Sequence, residues 1–132
     1  MADLQAALIA RLLDDAAVAA LVARRGYWGI VPQNTAKPYF RMQVISDPRP
    51  QHLKGYDGSR GTRVQVDCFG ATYAASVALA KAIIAAVAQP VTIGTSRFGR
   101  THAEGPRDLG EDTTAGFVHR ASIDLLVRHR LA

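Results

Sequence analysis

Along the chain, apolar positions follow a helical period, then a period of two, then a helical period again, and finish on a period of two. Leu4, Leu8 and Leu12 fall four apart, with Ile9 beside them, so Asp3 to about Leu13 reads as an amphipathic helix with Asp3 as its cap. Asp14 and Asp15 interrupt the run. Asp15 can cap a second short helix over 16–23, with Val18, Leu21 and Val22 apolar, and the Arg24–Arg25–Gly26 step ends it. A short strand is expected over Tyr27–Val31, then a turn-rich link, then a strand from Pro38 to Ser46. There Phe40, Met42 and Val44 alternate with Tyr39, Arg41 and Gln43.

Residues 47–61, with two prolines and three glycines, read as a long loop without regular structure. Thr62–Phe69 alternates again, with Val64, Val66 and Cys68 on one face and Arg63, Gln65, Asp67 and Phe69 on the other. Thr72 can cap an alanine-rich helix to about Ala88, with Tyr73, Val77, Ala80, Ile83, Ile84 and Val87 as its apolar stripe. Val91–Ile93 can start a strand. The glycine-rich stretch from Gly94 to Gly116 is a second long loop, too long for a compact domain unless part of it is strand. Phe117–Arg128 is a final strand, with Phe117, His119, Ala121, Ile123, Leu125 and Val127 on one face. The expected fold is α+β: one domain over residues 1–132, a mostly antiparallel sheet with helices packed on one face, and two long loops.

Composition narrows the chemistry. The 132 residues carry 16 Lys and Arg against 11 Asp and Glu, a formal charge of +5, and the cations are mostly arginine. Such a surplus permits contact with nucleic acid or acidic proteins without establishing either. No apolar run reaches the length of a membrane span, no secretory signal is read at the start, and the single Cys68 excludes an intramolecular disulfide or a cysteine-rich zinc site.

Phosphate-cradling glycine motifs and metal-binding His/Cys motifs are absent from the sequence, so no catalytic, cofactor or metal site is expected. His102 and Glu104 would bind a metal only with partners from elsewhere. Cys68 reads as a buried structural cysteine, Tyr27 and Trp28 as core, and His119 as a core or interface histidine. Arg63 and Asp67, and again Arg120 and Asp124, share strand faces at the same spacing; on neighbouring strands they would form a charge ladder on a solvated face or against another subunit. The loop 47–61 is basic, with Arg49, His52, Lys54 and Arg60, which makes a nucleic-acid-binding module the alternative reading.

The segment RVQVDCFGATYAASVALAKAI, from Arg63 to Ile83, resembles a signature of small tail-completion proteins of tailed phages: an alternating strand ending in Asp-x-aromatic, a small residue, then a Tyr-containing, alanine-rich helix. The opening helices, the Pro32–Gln33 turn and the PYFRMQVIS strand fit the same family, so that the resemblance spans about residues 4–88. It implies a non-enzymatic tail terminator of α+β fold. Such a protein forms a homohexameric ring that caps the head-proximal end of the tail tube, stops tube polymerisation and joins the head-completion or neck protein. DNA passes through the lumen without sequence-specific binding. The expected location is the tail–neck junction of a virion assembled in the bacterial cytoplasm, with a phage, a prophage or a gene transfer agent as the source, and no membrane partner. Arg49, His52, Lys54, Arg60, Arg97 and Arg100 are the expected interface or lumen residues, from charge and loop position.

Overall fold

The computed structural model describes residues 2–47, 51–52, 55–56, 60–93, 96–114 and 116–131. Two helices open the chain, α1 (Ala2–Asp14) and α2 (Ala16–Val22). Asp3 lies inside the first turn of α1 rather than before it, whereas Asp15 caps α2 as expected, accepting from the Val18 amide at 3.1 Å. Then come β1 (Gly26–Trp28), β2 (Tyr39–Ser46), β3 (Gln51–His52), β4 (Gly55–Tyr56) and β5 (Arg60–Gly70). Helix α3 (Tyr73–Val87) follows, with the Thr72 hydroxyl accepting from the Ala75 amide. Four strands and a last long one complete the fold: β6 (Val91–Ile93), β7 (Ser96–Phe98), β8 (His102–Asp108), β9 (Glu111–Thr113) and β10 (Gly116–Leu131).

The main sheet runs β1-β2-β5-β10-β7-β6, and β8 and β9 also pair with β10. β10 lies antiparallel to β5 in continuous register from His119 opposite Gly70 to His129 opposite Arg60. Its other edge takes β9, β8 and β7 in turn, all antiparallel. β1 alone runs parallel to its neighbour, β2. Both expected long loops therefore contain strand. Residues 94–116 hold three short strands that use β10 as template, and residues 47–61 hold the β3–β4 pair, in which Gln51 faces Tyr56 and His52 faces Gly55.

All three helices pack on one sheet face. The alternation in the strands carries the core: Phe40 and Met42, then Val64, Val66 and Cys68, then Ala121, Ile123, Leu125 and Val127 are all fully buried or nearly so. Leu4, Leu8 and Leu12 of α1 meet them as the four-residue spacing requires. The expected stripe of α3 holds at Ala80, Ile83 and Val87, but the buried face also takes Ser76 and Leu79 in place of Tyr73. Ser76, Leu79, Ala80, Ile83 and Val87 face the core, and Tyr73 is exposed. Alanines make this helix apolar on nearly every side, so its period distinguishes the faces poorly. Phe117, expected on the core face, is 49% exposed where β10 runs past the helices. The expected Tyr27–Val31 strand stops at Trp28, because Gly29 adopts φ +72° and turns the chain out, leaving Ile30 exposed.

Trp28 is half-buried against the core and donates its indole N–H to the Gln5 carbonyl at 2.9 Å. Cys68 is buried, and burial with the neighbouring Asp67 charge pushes its thiol well above the usual range, so it is inert as a nucleophile. Gly26 admits no side chain: a Cβ there would overlap Cζ of the buried Phe40 ring. Gly26→Ala should therefore cost about 1–3 kcal/mol by overpacking, read as a lower urea midpoint. Gly61→Ala is the control, since its Cβ would meet Leu126 Cδ1 at an ordinary 3.6 Å. An equal loss in both variants would show that Phe40 does not set the cost.

Candidate assembly surfaces

The sheet face opposite the helices is open, and its polar side chains gather in two groups. A third group lies on the helix side, where Asp47, Arg60, Thr62 and His129 meet.

At the centre of the open face, Asp67 is 2% exposed. Its carboxylate accepts from Gln65 Nε2 at 3.0 Å and is flanked by Arg41 Nη2 at 3.9 Å and Arg120 Nε at 3.7 Å. The last two are ion-pair distances, too long for hydrogen bonds. Arg41 also donates to Gln43 Oε1 at 3.0 Å, and Arg107 pairs with Asp124 at 3.3 Å. The expected ladder on β5 and β10 thus exists in altered form. The strands are neighbours, but Arg63 faces Leu126, and β2 and β8 supply partners that spacing along two strands does not reveal. At the centre of the face the Asp67 carboxylate is shielded from solvent, because partly exposed arginine side chains fold over it.

On the helix side, Arg60 pairs with Asp47, and each side chain is mostly buried. The Thr62 hydroxyl donates to Asp47 Oδ1 at 2.8 Å, so its oxygen must accept from His129 Nε2, 2.6 Å away. This fixes the histidine tautomer with its proton on Nε2. Burial, then the Arg60 charge, hold the imidazole below its usual value of 6.5; Asp47 opposes this shift, and the N-terminal charge adds weakly to it.

At the far end of β10, Arg130 lies directly opposite Arg97 of β7. Arg128, two residues back on β10, shares their face, and its guanidinium reaches across to Gly61. These three arginines, with Pro90, Phe98, Gly99 and His129, line an open cleft of about 350 Å³. Among the described residues no carboxylate lines it, and none of the three arginines has an ion-pair partner. Phe98 itself is buried beneath the Arg11 guanidinium, 5.6 Å from the ring centre.

The six residues expected at an interface or lumen divide accordingly. Arg97 and Arg100 are exposed, Arg97 in the cleft and Arg100 just beyond β7. Arg60 is not a free surface cation, because Asp47 holds it and only 11% of its side chain is exposed. His52 belongs to β3, and Arg49 and Lys54 lie outside the described residues. Arg128 and Arg130 were not expected. They read as the charged end of a strand, and only the register opposite β7 brings them to Arg97.

Other groups behave simply. His102 and Glu104 form an exposed pair at 3.8 Å, and no group of three or more metal-ligating side chains occurs among the described residues. His119 is half-buried and packs against Phe117 with ring centres 4.8 Å apart. No helix is long and apolar enough to cross a membrane among the described residues.

Asp67→Asn keeps the shape and the Gln65 contact but removes the charge between two arginines. Because both arginines are about one-third exposed and can turn to water, the expected loss is about 1–3 kcal/mol in urea unfolding; an unchanged midpoint would contradict the buried pairing. For His129, the unfolded chain binds a proton more readily than the folded one between pH 6.5 and the lowered native value. Its contribution is complete above 6.5 and declines as pH falls through that window. The urea midpoint should drop from about pH 7.5 to about pH 5.5, and drop less in His129→Gln.

Comparison with known proteins accords with this architecture. No curated protein matches the chain. A chain from the solved virion of a native gene transfer agent particle shares its fold, with a TM-score of 0.62 and 24% identity over 97% of this chain and 93% of that one. The family model described as Tail completion protein gp17 matches residues 6–130, nearly the whole sequence, and the chain belongs to that family of phage tail proteins.

Proposed function

We propose that this chain is a tail terminator: a structural protein whose copies form a ring, expected to be a hexamer, on the head-proximal end of a tail tube. There it ends tube polymerisation and offers the surface that receives the neck. The family match across residues 6–130 carries this reading. The fold shared with a chain of a gene transfer agent particle supports a place in a virion. The role is architectural, not enzymatic, and its partners are further copies of itself, the tube protein and a head-completion protein. Assembly would take place in the bacterial cytoplasm before the tail meets the head, and DNA would later pass through the ring without being read.

The physical layout is compatible with such a role. A closed ring with one kind of subunit needs two different, complementary surfaces on each copy. The chain has an open sheet face with a helix layer behind it. The alternative of a nucleic-acid-binding module in residues 47–61 has less support, since Arg60 is committed to Asp47 and is not available to a phosphate.

The test is molar mass by light scattering across a concentration series, with and without tube protein, together with electron microscopy of tube lengths. A mass near six subunits and tubes that stop growing when the chain is added are expected. A persistent monomer with no effect on tube growth would overturn the reading.

A further inference from the structure

The arginine cleft at one end of β10 has a counterpart at the other. Arg97 and Arg130 are directly opposed across an antiparallel ladder, an arrangement that repels unless a negative group lies against it. Arg128 adds a third charge, and no acidic side chain among the described residues lines the cleft. At the opposite end of β10, β9 places Glu111 opposite Val118 and Asp112 opposite Phe117. Both acids are exposed, and neither has an ion-pair partner among the described residues. Asp112 shares its face with an exposed apolar anchor: Phe117 is 49% exposed and packs over Gly110 next to Leu109, itself 38% exposed.

Within one chain these patches cannot meet. Phe117 and Arg130 are thirteen residues apart on one continuous strand, which at about 3.3 Å per residue separates them by about 40 Å. Opposite charges held at the two ends of a rigid element can neutralise one another only between molecules. They then do so head to tail, since the two surfaces differ.

We propose that the Arg97–Arg128–Arg130 cleft is the docking site for the Glu111–Asp112–Phe117 end of a second copy of this chain. The arginine forks would receive the Asp112 carboxylate, which shares a sheet face with Phe117, while Glu111 on the other face of the same strand adds to the negative field. Phe117 would supply the buried aromatic contact at the centre, beside the apolar wall that Pro90 gives the cleft. This deepens the ring reading, on which it rests for closure into a ring; the pairwise contact itself does not need closure. A nucleic-acid phosphate would suit three arginines as well. The same chain, however, carries a carboxylate-and-aromatic surface that matches the cleft in charge and whose acids have no ion-pair partner among the described residues, which favours the second copy.

The experiment is a charge reversal in two halves on the full chain. One variant carries Arg97→Glu and Arg130→Glu, the other Glu111→Arg and Asp112→Arg. The wild type should gain mass with concentration at low salt and lose that gain at about 0.5 M salt, where charges are screened beyond about 4 Å. Each variant alone should associate at least tenfold more weakly, because its two patches now carry the same sign. Mixed in equal amounts the variants should regain association, since each presents what the other lacks. That recovery also shows that both are folded, and circular dichroism checks each alone.

A wild type that stays monomeric at low salt would overturn the proposal. So would association that ignores both reversals, or two folded variants that do not recover on mixing. A short DNA duplex that binds the wild type, fails to bind the Arg97/Arg130 variant and leaves its mass unchanged would reassign the cleft to phosphate. The ring reading is separable. Association that recovers on mixing but grows without closing at six subunits leaves this contact standing and sinks the ring. A six-subunit mass indifferent to every reversal does the reverse.

Discussion

The ladder between β5 and β10 is the constraint on which the other elements depend. Both strands alternate strictly, and their register places Val64, Val66 and Cys68 beside Leu125, Ile123 and Ala121 on one face. A slip of one residue would turn that whole set outward and carry Asp67 and Arg120 into the core. The cost of burying unpaired charge makes such a slip prohibitive. The polar face thus specifies the register as strongly as the apolar face does. The helices add a lid to a layer whose geometry the ladder has already settled.

The same strand explains how residues 96–113 are ordered. β7 and β9 are three residues long, and strands this short have little stability of their own. They exist because β10 extends beyond β5's partners and offers a free edge. Covering that edge also protects a sixteen-residue strand from pairing with foreign chains. Where β8 crosses, the register shifts between Ser122 and Asp124, opposite Gly105 at φ +110°. A Cβ on that glycine would meet the Ser122 carbonyl at 2.9 Å, so the irregularity requires a residue without one.

This dependence decides what could be read from the sequence. Helices α1 and α2 and strands β2, β5 and β10 were legible because each carries its own period over enough residues. The Thr72 and Asp15 caps were legible because their side chains act within three residues. β7, β8 and β9 were not: their reason for being strand lies in β10, not in their own alternation. The buried surroundings of Asp67 were hidden too, since Arg41 arrives from a strand some twenty-five residues earlier. Of the candidate site, Arg97 was legible by charge and loop position. Its partners Arg128 and Arg130 were not, because the repulsive pairing of Arg130 with Arg97 is a fact of register between distant segments.

Charge is distributed unevenly over the open face, and the unevenness has a physical logic. In the middle, Arg41, Arg107 and Arg120 are paired with Asp67 and Asp124, contacts that span β2, β5, β8 and β10. At the two ends the charges are exposed and unspent. Solvated charges of this kind contribute little to the stability of a single chain. On the proposed contact they become useful only when two chains meet, where desolvation strengthens each arginine–carboxylate fork. The free chain would keep a charged, soluble surface, and its opposite ends would steer encounters into one orientation. One long strand would then serve both scales of organisation, its centre fixing the fold and its ends fixing the order in which copies join.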